Sequence, residues 1–98
     1  MKLFVTGSNG YIGKSFINKA AKKNIQIFAV TRKKKNKKIS NVKWLVGSID
    51  KNWIELKKSD ILIHFATVGA YDKNINFKEA YDFNVVKSSQ LLMNAINN

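Results

Sequence analysis

The sequence predicts an α/β protein built on a parallel, doubly wound sheet, and three observations predict it. A short apolar run at the start of the chain meets a turn with glycines at 7, 10 and 13, followed by an amphipathic segment. A second run, Ile25 to Thr31, is almost continuously apolar, as a strand covered on both faces must be. Strand-like and helix-like stretches then alternate to the end, giving βαβαβαβα with right-handed crossovers.

Leu3 to Val5 reads as the first strand, stopping at Gly7. A helix follows from Tyr11 to about Lys23, with Ile12, Phe16, Ile17, Ala20 and Ala21 at helical spacing as its buried face. Lys14, Lys19, Lys22 and Lys23 fall on the other side, most of them near the carboxyl end, where positive charge suits the dipole. Asn24 tolerates the left-handed conformation and makes a natural stop. Strand two is Ile25 to Thr31, and the charged run Arg32 to Lys38 is a solvated loop.

Val42 to Val46 is the third strand, Gly47 to Asp50 its exit turn, and Lys51 to Lys58 a short helix turning Trp53, Ile54 and Leu56 inward. Asp60 to Phe65 is the fourth strand, and residues 66–76 are a loop. A long helix from about Phe77 to Ile96 buries Ala80, Tyr81, Val85, Leu91, Leu92 and Ala95. Trp44 and Trp53 read as core residues. Doubly wound precedent orders the strands 3-2-1-4, with the switch point between strands one and four and a ligand at their carboxyl ends.

Ninety-eight residues, 45% of them hydrophobic, make one modest domain. There is no cysteine, hence no disulfide or thiolate metal site, and one histidine with six acidic residues leaves little for a metal centre. No apolar stretch reaches the length of a membrane span and no signal peptide is evident, so a cytoplasmic location is expected. The formal charge of +12 would attract a polyanion such as nucleic acid, an anionic membrane or a phosphorylated metabolite. It fits equally a chain rich in Lys, Asn and Ile whose lysines lie on solvated faces. No aromatic stacking platform accompanies the basic run, so nucleic acid is not the expected partner.

The glycine turn carries the chemistry. Gly7 permits a tight turn, Gly10 lets the backbone approach a pyrophosphate, and Gly13 lets helix and strand pack closely. Unpaired N–H groups and the positive end of the helix dipole then face the phosphates. The spacing is G-x-x-G-x-x-G. Glycines also occur in turns for conformational reasons alone, but here they sit between a strand and a helix.

With these residues in view, the chain resembles the N-terminal part of the cofactor domain of an NAD-dependent epimerase/dehydratase, in the extended short-chain dehydrogenase/reductase superfamily. Thr6-Gly-Ser-Asn-Gly-Tyr-Ile-Gly13 is similar to that family's T-G-x-x-G-[FY]-[IL]-G, and Asp60-Ile-Leu-Ile-His-Phe-Ala66 to its D-x-[VL]-[IF]-H-x-A strand. Phe77 to Val85, followed by Leu91 and Leu92, is similar to its next helix, which carries an N-V pair. The resemblance covers residues 1–98 and implies a Rossmann-like domain. It also implies a dinucleotide lying across Gly7, Asn9, Gly10, Tyr11, Ile12 and Gly13, with further contacts from the strand-three exit at Ser48 and Ile49. The backbone at Phe65, Ala66 and Thr67 would lie near ribose and diphosphate.

The sequence departs from the family where Ser48 replaces the Asp of G-D-[ILV], which recognises the adenine amino group; Asp50 is close enough to substitute. Thr67 stands where a second Ala is common and Lys87 where Gly is common. The family moves a proton with a Tyr-x-x-x-Lys pair, yet Tyr11 is followed four residues on by Ser15, Tyr71 by Ile75 and Tyr81 by Val85. That pair and the substrate-binding region lie beyond residue 98 in relatives. The expectation is a fragment of a longer nucleotide-sugar enzyme, or a truncated product serving as a non-catalytic nucleotide-binding module, inactive alone in either case.

Thr31 and Arg32 end strand two. An acidic residue there holds the ribose hydroxyls of NAD, whereas Arg accommodates a 2′-phosphate. No Asp or Glu occurs between Gly7 and Asp50, so NADP is favoured over NAD. His64 is expected to be structural rather than catalytic. Asn84 either bonds across to the loop after strand four or is a plain surface residue. Strand four, apolar on both faces, would be an unpaired edge, so self-association is expected.

Overall fold

In the computed structural model, residues 1–32, 37–67 and 76–97 are described. The order is β1 (Lys2–Thr6), α1 (Tyr11–Ala21), β2 (Gln26–Thr31), β3 (Val42–Val46), α2 (Ile54–Lys57), β4 (Ile61–His64) and α3 (Phe77–Tyr81). A π turn (Asp82–Lys87) then leads into α4 (Ser88–Ile96). The strands form one parallel sheet, as the alternation of elements predicts, in the order β3-β2-β1-β4 that doubly wound precedent gives. Leu3 pairs with Ile27 on one side and Ile61 on the other, and Thr6 pairs with His64.

Alternation along the strands divides the core between the two faces of the sheet. Leu3, Val5, Ile27 and Ala29 pack with Ile17 and Ala20 of α1. Phe4, Phe28, Val30 and Leu45 pack with Ile49, Trp53, Leu56 and Leu91 beneath α2 and α4. Both faces of the central strands β1 and β2 are therefore covered, which is why those strands read as continuous apolar runs.

The expected boundaries shift in physically explicable ways. α1 ends at Ala21 rather than about Lys23; Lys22 caps it, Asn41 Nδ2 donates to the Ala21 carbonyl at 2.9 Å, and Asn24 takes φ 58°. Ile12, expected on the buried face, is 63% exposed and takes no part in the core cluster that α1 forms with the sheet. α2 is a single turn of four residues, so Trp53 and Leu56 reach the core while Ile54 points outward. Trp44 is half-buried, with its Nε1 donating to the Lys37 carbonyl at 3.1 Å.

The largest departure lies in the last helix. One regular α-helix from Phe77 to Ile96 would turn Tyr81, Val85 and Leu92 inward along with Leu91, yet all three are exposed while Leu91 is buried. The π turn accounts for this: its i→i+5 bonding takes in an extra residue and rotates α3 relative to α4. The inward positions become Phe83, Ser88, Leu91 and Ala95. Most of the expected 66–76 loop, and residues 33–36 of the basic run, lie outside the described residues.

Candidate functional site

Parallel pairing sets the carboxyl ends of all four strands on one side of the sheet, and the glycine turn lies among them. β1 ends at Thr6 and Gly7 turns the chain at φ +70°. A Cβ there would come within 2.6 Å of the Ala66 nitrogen and 2.7 Å of the Phe65 carbonyl carbon. Gly10 N–H closes the turn by donating to the Gly7 carbonyl at 3.1 Å, and Ser8, buried beneath, donates to the Val5 carbonyl at 3.3 Å. A Cβ on Gly13 would stand 2.0 Å from the Gly7 oxygen. Protein packing alone thus requires glycine at 7 and 13.

Gly10 differs. Its φ of −73° suits any residue, and a Cβ there would find one neighbour within 4 Å, the Gly7 oxygen at 3.3 Å. It is the N-cap of α1, no side chain caps the helix, and no acidic residue stands in the first turn. Helix geometry leaves the N–H groups of Tyr11, Ile12 and Gly13 without partners one turn back. With the dipole they form a place for an anion, over an open patch of backbone at Gly10. Tyr11 is 93% exposed beside it.

Asn9 ties this turn to the end of β2, its Nδ2 donating to Thr31 Oγ1. The Thr31 carbonyl in turn accepts from Gly47 N–H at 3.0 Å, joining the exit of β3. Arg32 follows, exposed, with its guanidinium 5.6 Å from the centre of the Phe83 ring. In the β3 exit, Ser48 donates to the Asp50 carboxylate, so the two residues weighed for adenine recognition are already paired. Trp53 Nε1 holds the Ser48 carbonyl at 3.0 Å and Asn94 Nδ2 the Asp50 carbonyl at 3.3 Å. Ile49 is buried in the core, so it offers the site backbone and no side chain.

On the other side, Phe65 N–H donates to the Thr6 carbonyl at 3.2 Å, and the Phe65 ring meets Phe16 edge to face at 5.6 Å. Ala66 N–H donates to Thr6 Oγ1 at 3.2 Å, and Thr67 Oγ1 donates to Asn84 Oδ1 at 3.0 Å, the cross-bond considered for Asn84. His64 is half-buried between Thr6 and Ser88, and desolvation holds its imidazole below the usual histidine range. Thr6, Phe83 and Ser88 had no role assigned from sequence. Thr6 and Phe83 lie inside matched motifs, Ser88 does not, and the π turn is what brings Phe83 and Ser88 inward.

Among the described residues no cluster of His, Asp or Glu could hold a metal ion, and no helix is long and apolar enough to cross a membrane.

The sequence profile described as the NAD dependent epimerase/dehydratase family matches residues 3–98. No curated protein matches the chain. Among solved structures, MoeE5 in complex with UDP-glucuronic acid and NAD superposes with a TM-score of 0.85 at 20% identity, covering 99% of this chain and 33% of that one. UDP-glucose 4-epimerase from Thermotoga maritima, solved with UDP-glucose, gives 0.80 at 19% identity, covering 99% and 34%. WbmH from Bordetella bronchiseptica, in complex with NAD+, gives 0.79 at 19%, covering 98% and 35%. These likenesses establish the fold, and the chain spans about a third of each of those proteins. By the extent of the profile match, the chain belongs to the NAD dependent epimerase/dehydratase family.

Proposed function

We propose that this member of the epimerase/dehydratase family binds a nicotinamide dinucleotide across its glycine turn, as the cofactor-holding portion of a nucleotide-sugar epimerase, dehydratase or reductase. The observation that carries the reading is Gly10: a glycine that φ does not require and whose Cβ would press on one atom alone, the Gly7 oxygen at 3.3 Å, at the bare N-terminus of a helix. A side chain there would fill the space a pyrophosphate needs. MoeE5 and WbmH, with the same fold, were solved with NAD. When bound, the dinucleotide supplies a hydride acceptor or donor. The chain's own part is to bind and orient it: Gly10 and the first turn of α1 hold the diphosphate, and Phe65 to Thr67 flank it with backbone. Replacing Gly10 with Val should abolish binding in calorimetric titration while the fold persists. Equal affinity in variant and parent would overturn the assignment.

We further propose that NADP is preferred over NAD. The exposed guanidinium of Arg32 at the end of β2, and the lack of any acid between Gly7 and Asp50, support a 2′-phosphate at that place. A second reading is a nucleotide-binding module without catalysis; none of the three tyrosines within residues 1–98 has lysine four residues on, which is compatible with both readings. Cofactor-dependent turnover by these 98 residues would exclude it. Among the described residues β4 is the outer strand of the sheet opposite β3, and an edge of this kind supports association with a second copy.

A further inference from the structure

Behind the glycine turn, polar groups from three separate elements stand in line. Thr6 and His64 are register partners on β1 and β4, and Thr6 Oγ1 meets His64 Nδ1. Across the ring, Nε2 lies 3.0 Å from Ser88 Oγ at the start of α4. The Ser88 hydroxyl donates to the Phe83 carbonyl at 3.1 Å, and that carbonyl also accepts the Ser88 backbone N–H, the i→i+5 bond of the π turn. At the other end, Ala66 N–H reaches Thr6 Oγ1 at 3.2 Å.

One arrangement of the protons gives every donor an acceptor. With the Ser88 hydroxyl donating to the Phe83 carbonyl, Ser88 Oγ accepts from His64. Nε2 therefore carries hydrogen. Thr6 Oγ1 accepts from Ala66 N–H, and turning its own proton to Nδ1 gives that proton an acceptor. A neutral imidazole bearing hydrogen on Nε2 satisfies every group, with all donors pointing from Ala66 toward Phe83. Hydrogen bonds aligned in this way polarise and strengthen one another. Protonating Nδ1 would set its hydrogen against that of Thr6, and the desolvation of the ring opposes the same change.

We propose that His64 is a positioning residue: as the neutral Nε2–H tautomer it fastens the π turn Asp82–Lys87 to the loop after β4. The π turn carries Phe83 beneath Arg32 and Asn84 against Thr67, so the fastening shapes the far end of the cofactor cradle. This consequence for binding rests on the proposed cofactor site; the proton assignment does not. The fold contains a single histidine, so its side-chain nitrogens are identified without ambiguity.

Long-range ¹⁵N–¹H spectra of the unliganded protein, above about pH 7, should show Nε2–H and a bare Nδ1. An Nδ1–H tautomer or a doubly protonated ring would overturn the proposal. Ser88→Ala should leave a mixture of tautomers and weaken dinucleotide binding about 3- to 10-fold, the effect of one hydrogen bond. Ser88→Thr, which keeps the hydroxyl, should restore both. Unchanged affinity with an unchanged tautomer in Ser88→Ala would overturn the positioning role. Should the parent bind neither NAD nor NADP, the cofactor reading falls, and the tautomers of parent and variants still decide this one.

Discussion

A Cβ on Gly13 would stand 2.0 Å from the carbonyl oxygen of Gly7, closer than any two such atoms can approach. The two glycines are one packing unit that lets α1 descend onto the end of β1. Gly13→Ala must push the helix away and should lower stability by about 3 kcal/mol or more. Gly10→Ala, whose new methyl group meets only the Gly7 oxygen at 3.3 Å, should change it by no more than about 1 kcal/mol. Urea unfolding of the two variants checks the contrast, and similar losses would show that Gly10 is also a packing position.

Asn9 and Thr31 join the glycine turn to the end of β2 through one side-chain bond. Asn9→Ala removes it and leaves Thr31 Oγ1 without that donor, at an expected cost of about 1 kcal/mol. Binding of dinucleotide should weaken as well, because the turn and the Arg32 side of the site lose their direct link. A variant of unchanged melting and affinity would show the bond to be incidental.

Arg32→Asp places a carboxylate where the ribose hydroxyls of NAD would be held and a 2′-phosphate repelled. The expected outcome of parallel titrations with both cofactors is a reversal of preference from NADP to NAD. A parent that binds NAD as tightly as NADP would leave Arg32 with no part in the choice.

His64 gives the stability a pH dependence of definite sign. Its folded value lies below the ordinary 6.5 because burial penalises the charged ring. Between the two values the unfolded chain binds more protons than the folded one. The contribution of His64 is therefore complete above 6.5 and is lost as pH falls through the depressed folded value. Urea midpoints measured from about pH 8 down to about pH 5 should decline in the parent and decline less in His64→Gln. Parallel curves would assign the decline to other groups.

Along β4, Ile61 is 45% exposed at the outer edge of the sheet. Light scattering should find a mass that rises with concentration, and Ile61→Lys should lower it, since a charge on an edge strand discourages pairing. A monomer that persists at high concentration would exclude association through this edge.

How much of this molecule can be read before it is folded depends on the range of the interactions involved. The alternation of strands and helices, the glycine turn and the stop at Asn24 arise from local patterns: apolar runs, helical spacing and residues suited to one backbone conformation. Those patterns are written in consecutive residues, so the sequence by itself determined the α/β class and the family. Ile12 and Ile54 were misassigned to the interior because helical periodicity identifies an apolar face without saying whether anything lies opposite it.

The rest was decided only by tertiary structure. Gly10 looks like its two companions in sequence. It separates from them once a Cβ is seen to come within 2.6 Å of Ala66 at Gly7 and within 2.0 Å of the Gly7 carbonyl at Gly13, but no nearer than 3.3 Å to any atom at Gly10. Periodicity puts Tyr81, Val85 and Leu92 inside, but the π turn rotates them out and brings Phe83 and Ser88 inward. The physical reason is that a π turn is weak on its own and is held by partners distant in sequence. Here those partners are His64 on β4, which meets the Ser88 hydroxyl, and through it Thr6 on the first strand.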